Sequence, residues 1–210
     1  MQDNLNYIQD TIYSTVQERI RNGGYKAGEK LSENSLAKEF NCSRTPVREV
    51  FQKLEQNGLV VIQPKSGTYV RQYSKKEIID ALEIRSYLEA LAFNLDIEKK
   101  VDLTKLKECL AQMNKVAEEK PFDIEKFGLL HFNFHSLLVS LADNPFLTDV
   151  YNQLHLIALY GVFFKPMAED DLKITQEEHQ KIVSLLEKGD KSGESFIIHH
   201  LIRRREDFAE

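Results

Sequence analysis

The chain has 210 residues, is 42% hydrophobic and carries a formal net charge of −5. That is long and apolar enough to bury a core in each half, which excludes a disordered chain. No run of about 18 apolar residues occurs, and the start, MQDNLNYIQD, lacks a basic stretch followed by an apolar one, so neither a membrane span nor a secretory signal is expected. Cys42 and Cys109 lie far apart with no CxxC spacing, and read as free thiols of a reducing, cytoplasmic compartment. The charge is unevenly spread. Residues 1–72 hold ten Lys/Arg against eight Asp/Glu, a balance of +2, while residues 73–210 hold 18 against 25, a balance of −7. This asymmetry points to two modules with different partners.

Leu5, Ile8, Ile12, Val16 and Ile20 recur at helical spacing and predict an amphipathic helix over 5–22, ended by Asn22-Gly23-Gly24. Residues 26–30 read as a turn. Ser32 is placed to N-cap a short helix with Leu36, Ala37 and Phe40 inward. Asn41-Cys42-Ser43 then forms a tight connection into a third helix. There Thr45 is the expected N-cap and Pro46 the first helical residue, where a missing N–H costs nothing. Val50, Phe51 and Leu54 supply its buried stripe, and Gly58 its left-handed cap. Arg44 and Arg48 are four apart and point to similar sides. Two short helices joined by about four residues, the second opening on basic and polar side chains, have the form of a helix-turn-helix. An ordinary surface helix with two solvated arginines has the same pattern. The residues after it favour the first reading. Leu59–Gln63 and Thr68–Val70 are β-rich runs around Pro64-Lys65-Ser66-Gly67, a hairpin in the place of a wing. Its tip offers a cation and a glycine for close approach to a phosphate or minor groove.

Ser74-Lys75-Lys76-Glu77 is a capping box that opens a new helix and sets a boundary near residues 72–74. Beyond it no strand signal occurs. Helices are expected from there to about Lys99, from a cap at Asp102 or Thr104, over 123–141, over 146–165, from a second capping box at Thr175-Gln176-Glu177-Glu178 to Glu187, and from Gly189-Asp190 to Arg203-Arg204-Arg205. The fold class is therefore mainly α: an N-terminal winged helix-turn-helix (1–72) and a C-terminal antiparallel bundle of about six helices (73–210). The final arginines fit a helix end that complements the macrodipole, with a nucleic-acid contact as the alternative. His131 and His135 are four apart on one helix, and His179, His199 and His200 lie on two others. Histidines from three helices of one bundle can converge on a divalent ion, or be unrelated core and surface residues.

The stretch GEKLSENSLAKEFNCSRTPVREVFQKLEQNGLVVIQPKSGTYV resembles the winged helix-turn-helix of the GntR family of bacterial transcription regulators over residues 5–71. Ala27 stands where the family usually has proline, Cys42 where it has valine, and Asn34 where some relatives carry an arginine. The resemblance implies that Ser43, Arg44, Thr45 and Arg48, with Lys65, Ser66 and Gly67 of the wing, contact double-stranded operator DNA. Residues 74–208 are similar to the FCD effector domain of the FadR subgroup, through Glu83-Ile84-Arg85-Ser86-Tyr87-Leu88-Glu89, Phe134-His135, Asn144-Pro145, Glu178-His179 and His200-Leu201. Metal-binding members use an aspartate four residues before the first histidine; that position is His131 here. The implied ligand set is His131, His135, His179 and His200, for Zn²⁺ or Ni²⁺, with His199 as the fallback. Arg85 would clamp a small carboxylate effector, or simply ion-pair with Glu89.

The function expected is a metabolite-responsive regulator that binds a palindromic operator as a homodimer, its DNA affinity set by the effector and a metal. The alternative is a DNA-binding protein whose bundle only dimerises, with structural histidines. A metalloenzyme is not expected: no H-E-x-x-H motif occurs, and Glu178 is the only suggestive general base beside the histidines.

Overall fold

Ile12, Val16 and Ile20 give α1 (Gln2–Arg21) a buried stripe, and it lies along α3 (Arg44–Gln56), whose Val47, Val50, Phe51 and Leu54 are buried in turn. The computed structural model of the chain describes residues 2–21, 23–162 and 169–203. By its internal packing the chain divides into two units, Met1–Tyr73 and Ser74–Glu210.

In the first unit α2 (Glu33–Glu39) is capped by Ser32, whose hydroxyl accepts from the Ser35 N–H at 3.2 Å. Asn41 ends α2 in the left-handed region, φ +49°, and the Cys42 N–H reaches the Ala37 carbonyl at 2.9 Å. This double-bonded C-terminal motif turns the chain sharply into α3. Asparagine enters that backbone more readily than most residues because its short polar side chain can hydrogen-bond locally. Ser43, not Thr45, is the N-cap of α3, with extended backbone and no side-chain capping bond. Pro46 therefore sits third in the helix. Any of the first four N–H groups lacks an intrahelical partner, so proline fits there as well as at the first position. Gly58 closes α3 at φ +72°, with Leu59 N–H on the Leu54 carbonyl, as expected.

The hairpin is β2 (Val60–Gln63) and β3 (Gly67–Val70), antiparallel with Val60 opposite Val70 and Gln63 opposite Gly67. A third strand, β1 (Lys30–Leu31), falls at the end of the stretch read as a turn. It pairs with β3, giving the order β1-β3-β2, and Val70 N–H to Glu29 O extends the ladder. The free edge of β3 needs hydrogen-bond partners, a demand that a two-residue sequence pattern does not signal.

The second unit has six helices among the described residues: α4 (Lys75–Lys99), α5 (Thr104–Glu118), α6 (Ile124–Leu141), α7 (Pro145–Val162), α8 (Glu169–Lys188) and α9 (Gly193–Arg203). Ser74 and Glu77 form the expected reciprocal cap of α4. This helix is the bundle's axis, packed on α6, α7 and α9, and it buries polar as well as apolar residues: Arg85, Ser86, Glu89 and Asp96 beside Leu82, Ala92 and Phe93. Phe93, Phe127, Phe134, Met113, Leu138 and Ile197 fill the core. The second capping box does not open a helix. α8 starts at Glu169, and Thr175 lies buried inside it, so the S/T-x-x-E pattern there is a helix-interior coincidence. Residues 163–165 of the expected fourth helix lie outside the described residues. No described helix is long and apolar enough to cross a membrane.

Candidate nucleic-acid interface and metal centre

In the first unit, the sharp turn at Asn41 and the apolar back of α3 fix which way its first turn faces. Pro46 and Val47 go inward, while Ser43, Arg44, Thr45 and Arg48 are exposed. The wing tip, Pro64-Lys65-Ser66, is exposed as well. Between α3 and the wing runs a groove of about 730 Å³ lined by Lys30, Arg44, Arg48, Lys65, Ser66 and Gly67, with Glu33 as its one acid. Gly67 has φ +132°, and a Cβ there would meet the Lys30 Cε at 2.7 Å. The glycine thus accommodates both the turn and the lysine stem. Asn34 is exposed on α2.

Arg44 and Arg48 both bond the same carboxylate oxygen. Glu33 Oε2 accepts from Arg44 Nε at 3.0 Å and Nη2 at 2.7 Å, and from Arg48 Nε at 2.9 Å. The two arginine side chains nonetheless stay 54% and 57% exposed, against 26% for the acid. They are anchored at the back and open at the front. Sequence reasoning passed over Glu33, an ordinary acid in a first helical turn. Only its position eleven residues before Arg44 across a turn gives it this role.

In the second unit, His131 and His135 on α6, His179 on α8 and His200 on α9 are brought together and buried, with one donor atom each inside a 4.8 Å span. His135 Nε2 lies 3.3 Å from His131 Nε2 and 3.0 Å from His179 Nε2. Two nitrogens on one tetrahedral zinc would be about 3.3 Å apart, given bonds of about 2.0–2.1 Å. Oxygen acceptors hold the far sides of three rings. His135 Nδ1 is 2.6 Å from Glu89 Oε2, His179 Nδ1 is 2.6 Å from the Thr175 carbonyl, and His200 Nδ1 is 2.7 Å from Glu178 Oε2. Such partners place the proton on Nδ1 and turn the Nε2 lone pair toward the cluster. The His200 Nε2 is buried with no hydrogen-bond partner. Burial, with the nearby His200, holds the His179 imidazole well below its ordinary range, so it is neutral and able to ligate. The donor set therefore fits a divalent ion. His199 is exposed and drops out as a ligand.

Arg85 is buried on α4. Its Nε donates to Glu89 Oε1 at 2.7 Å and its guanidinium lies over the Tyr151 ring, while Tyr151 donates its hydroxyl to the same Glu89 oxygen at 2.9 Å. The ion pair with Glu89 is present, yet Arg85 Nη2 has no partner. Of the two sequence readings of Arg85 the ion pair with Glu89 is the one present, with Nη2 left over. Glu89 and Tyr151 were not singled out from sequence as functional, though Glu89 stands in the quoted helix motif. Glu178, the suggestive base of the enzyme reading, is occupied by His200 and by Arg203 Nη2 at 2.8 Å. Arg203 is thus tied to its own bundle, and Arg204 and Arg205 lie outside the described residues.

Comparison with known proteins agrees with both halves. Residues 8–70 match the family of bacterial regulatory proteins, gntR family, and residues 80–204 match the FCD domain. The HTH-type transcriptional regulator YdhC of Bacillus subtilis is 28% identical over 88% of this chain and 82% of its own. A relative from Paenarthrobacter nicotinovorans, named "Probable D-xylose utilization operon transcriptional repressor", is 30% identical over 91% of this chain and 86% of its own. The crystal structure of a GntR regulator from Rhodococcus sp. RHA1, 21% identical, superposes with a TM-score of 0.84 over 95% of this chain and 96% of its own, which establishes the fold. These relatives are transcriptional regulators, not enzymes. On its domains, its fold and its relatives, the chain belongs to the GntR family of bacterial regulatory proteins, with an FCD domain as its helical half.

Proposed function

We propose that this regulator binds a palindromic DNA operator as a homodimer, and that a small carboxylate held in the helical domain, beside a divalent metal, sets its affinity for that operator. The observation that carries the DNA reading is the groove between α3 and the wing, lined by Lys30, Arg44, Arg48 and Lys65. Ser43, Arg44, Thr45 and Arg48 would enter the major groove, and Lys65, Ser66 and Gly67 would lie against the phosphates or minor groove. Dimerisation is supported by an exposed apolar line on α4, Ile84, Tyr87 and Leu91, together with Phe146 and Val150 on α7. A repressor sense is supported by the Paenarthrobacter relative, named a repressor.

His131, His135, His179 and His200 would hold Zn²⁺ or Ni²⁺, a neutral set that leaves the ion's full double charge to attract an anion. The unpartnered Arg85 Nη2 supports a carboxylate ligand nearby. Glu89 joins the two, since it bonds Arg85 and His135 together. A ligand there shifts DNA affinity only by as much as it prefers one bundle conformation over another.

The test has two arms. Duplexes selected from a random library by the wild-type protein should lose affinity for Arg48→Ala by about tenfold or more, with the bundle still folded. Unchanged affinity removes α3 as the reader. Elemental analysis of purified protein should find about one divalent ion per chain, and a thermal-shift screen of organic acids should raise the melting temperature of the metal-loaded form. Absence of both would favour the reading in which the bundle only dimerises.

A further inference from the structure

We infer that Glu33 is a positioning residue for sequence readout, ordering Arg44 and Arg48 so that their outer edges meet the base pairs in a fixed geometry. The inference rests on the DNA reading above and adds a residue with the wrong charge for a DNA contact. Three N–H groups from two side chains converge on one oxygen, Glu33 Oε2. On Arg44 the bonds take the Nε/Nη2 side of the guanidinium, and on Arg48 they take Nε. The Nη1/Nη2 end of each fork, the edge that pairs bidentately with a guanine, keeps N–H groups outside these bonds, on side chains more than half exposed.

Glu33 is also set back. Its side chain is about half as exposed as either arginine, and it lines the same groove as both. Partial burial pushes its carboxyl up, but the bonds from Arg44 and Arg48 outweigh that and hold it below its usual range, so it is ionised at neutral pH. α2 presents this carboxylate from its first turn, beside the Ser32 cap, so its own backbone is fixed. Arginine side chains on a surface otherwise sample many rotamers, and ordering them at the moment of binding lowers affinity.

Simple charge counting and positioning give opposite signs. Removing a negative charge beside phosphates strengthens all DNA binding and steepens its salt dependence. Removing an anchor loosens the readers and weakens binding to the preferred sequence alone. The experiment uses full-length protein, the duplex that the wild type selects from a random library, its single-base-pair variants, and a scrambled duplex of the same composition. For Glu33→Gln the ratio of selected to scrambled affinity is expected to fall about tenfold, while scrambled binding holds or rises. The base pairs at which Arg44→Ala or Arg48→Ala abolishes discrimination should be the ones at which Glu33→Gln shrinks it, and discrimination at other positions should persist. Glu33→Asp, which keeps the charge and the helix-dipole contribution on a shorter stem, should show the same local loss. A ratio equal to or above wild type in Glu33→Gln, or an equal change at every base pair, overturns the positioning role. If the wild type itself selects no sequence, the DNA reading fails instead, and the two failures are distinct.

Discussion

Asp96 shows what burial does to one carboxyl. It lies on α4 at 1% exposure, and neither of its oxygens has a hydrogen-bond partner. Burial pushes its carboxyl from 3.8 up to about 8, with the Lys99 charge pulling the other way. A carboxyl that takes up its proton more readily when folded stabilises the fold below its unfolded value, and that stability is lost as pH rises through the folded value. The bundle should therefore weaken between about pH 4 and pH 8, opposite in sign to a salt-bridged acid. Asp96→Asn, neutral at every pH, should gain about 2 kcal/mol or more at pH 8 and nothing near pH 4, read as the difference in melting temperature between variant and wild type at the two pH values. Glu89 has a different task at the same scale. It holds the His135 ring by Nδ1, so Glu89→Gln should lower zinc affinity about 10- to 100-fold in competition with a chromophoric chelator, although all four histidines remain.

Caps and small residues decide how the elements meet. The motifs at Asn41 and Gly58 end α2 and α3 through backbone bonds that any sequence with those residues would tend to form. Gly193 is a different kind of glycine. It is buried at the start of α9, and a Cβ there would fall 2.0 Å from the Phe93 ring of α4. The close approach of α9 to α4 depends on that missing carbon, and α9 carries His200. Gly193→Ala should destabilise the second unit by about 1–3 kcal/mol in urea unfolding, because Phe93 is fully buried and can yield only by displacing its own neighbours. The same substitution should weaken zinc binding, since α9 must move to admit the methyl.

For the whole molecule, a two-fold operator requires two copies of α3 held at a fixed spacing. Leu91, 48% exposed on α4, lies in line with Ile84 and Tyr87 on the face proposed to pair the two copies. Leu91→Glu should convert the dimer to a monomer in sedimentation velocity. It should also abolish the advantage of a two-half-site duplex over a single half-site, with half-site affinity retained. The net charge of −5 does not oppose DNA binding, because the excess acid lies in residues 73–210 and the excess base in the first 72.

Local chemistry was enough for much of this protein. Helical spacing, the Ser32 and Ser74 caps, Gly58 and the β-rich hairpin are each written within a few residues, so the winged helix and the exposed arginines of α3 followed from sequence, as did the His131/His135 pair, one turn apart. Distance in sequence defeated the rest. β1 exists because β3 has an edge to satisfy, not because Lys30-Leu31 has a strand pattern. Thr175 carries a capping pattern but lies inside α8, since a four-residue motif does not know where its helix began. The family resemblance named His200 ahead of His199, and α9 does turn His200 to the cluster and His199 to the surface, but helical spacing by itself did not separate the two neighbours. Glu33 against the two arginines, and Glu89 against His135, are contacts between groups 11, 15 and 46 residues apart in the chain. Such contacts depend on how separate helices are set against one another, which no local pattern of residues encodes, so tertiary structure alone decides them.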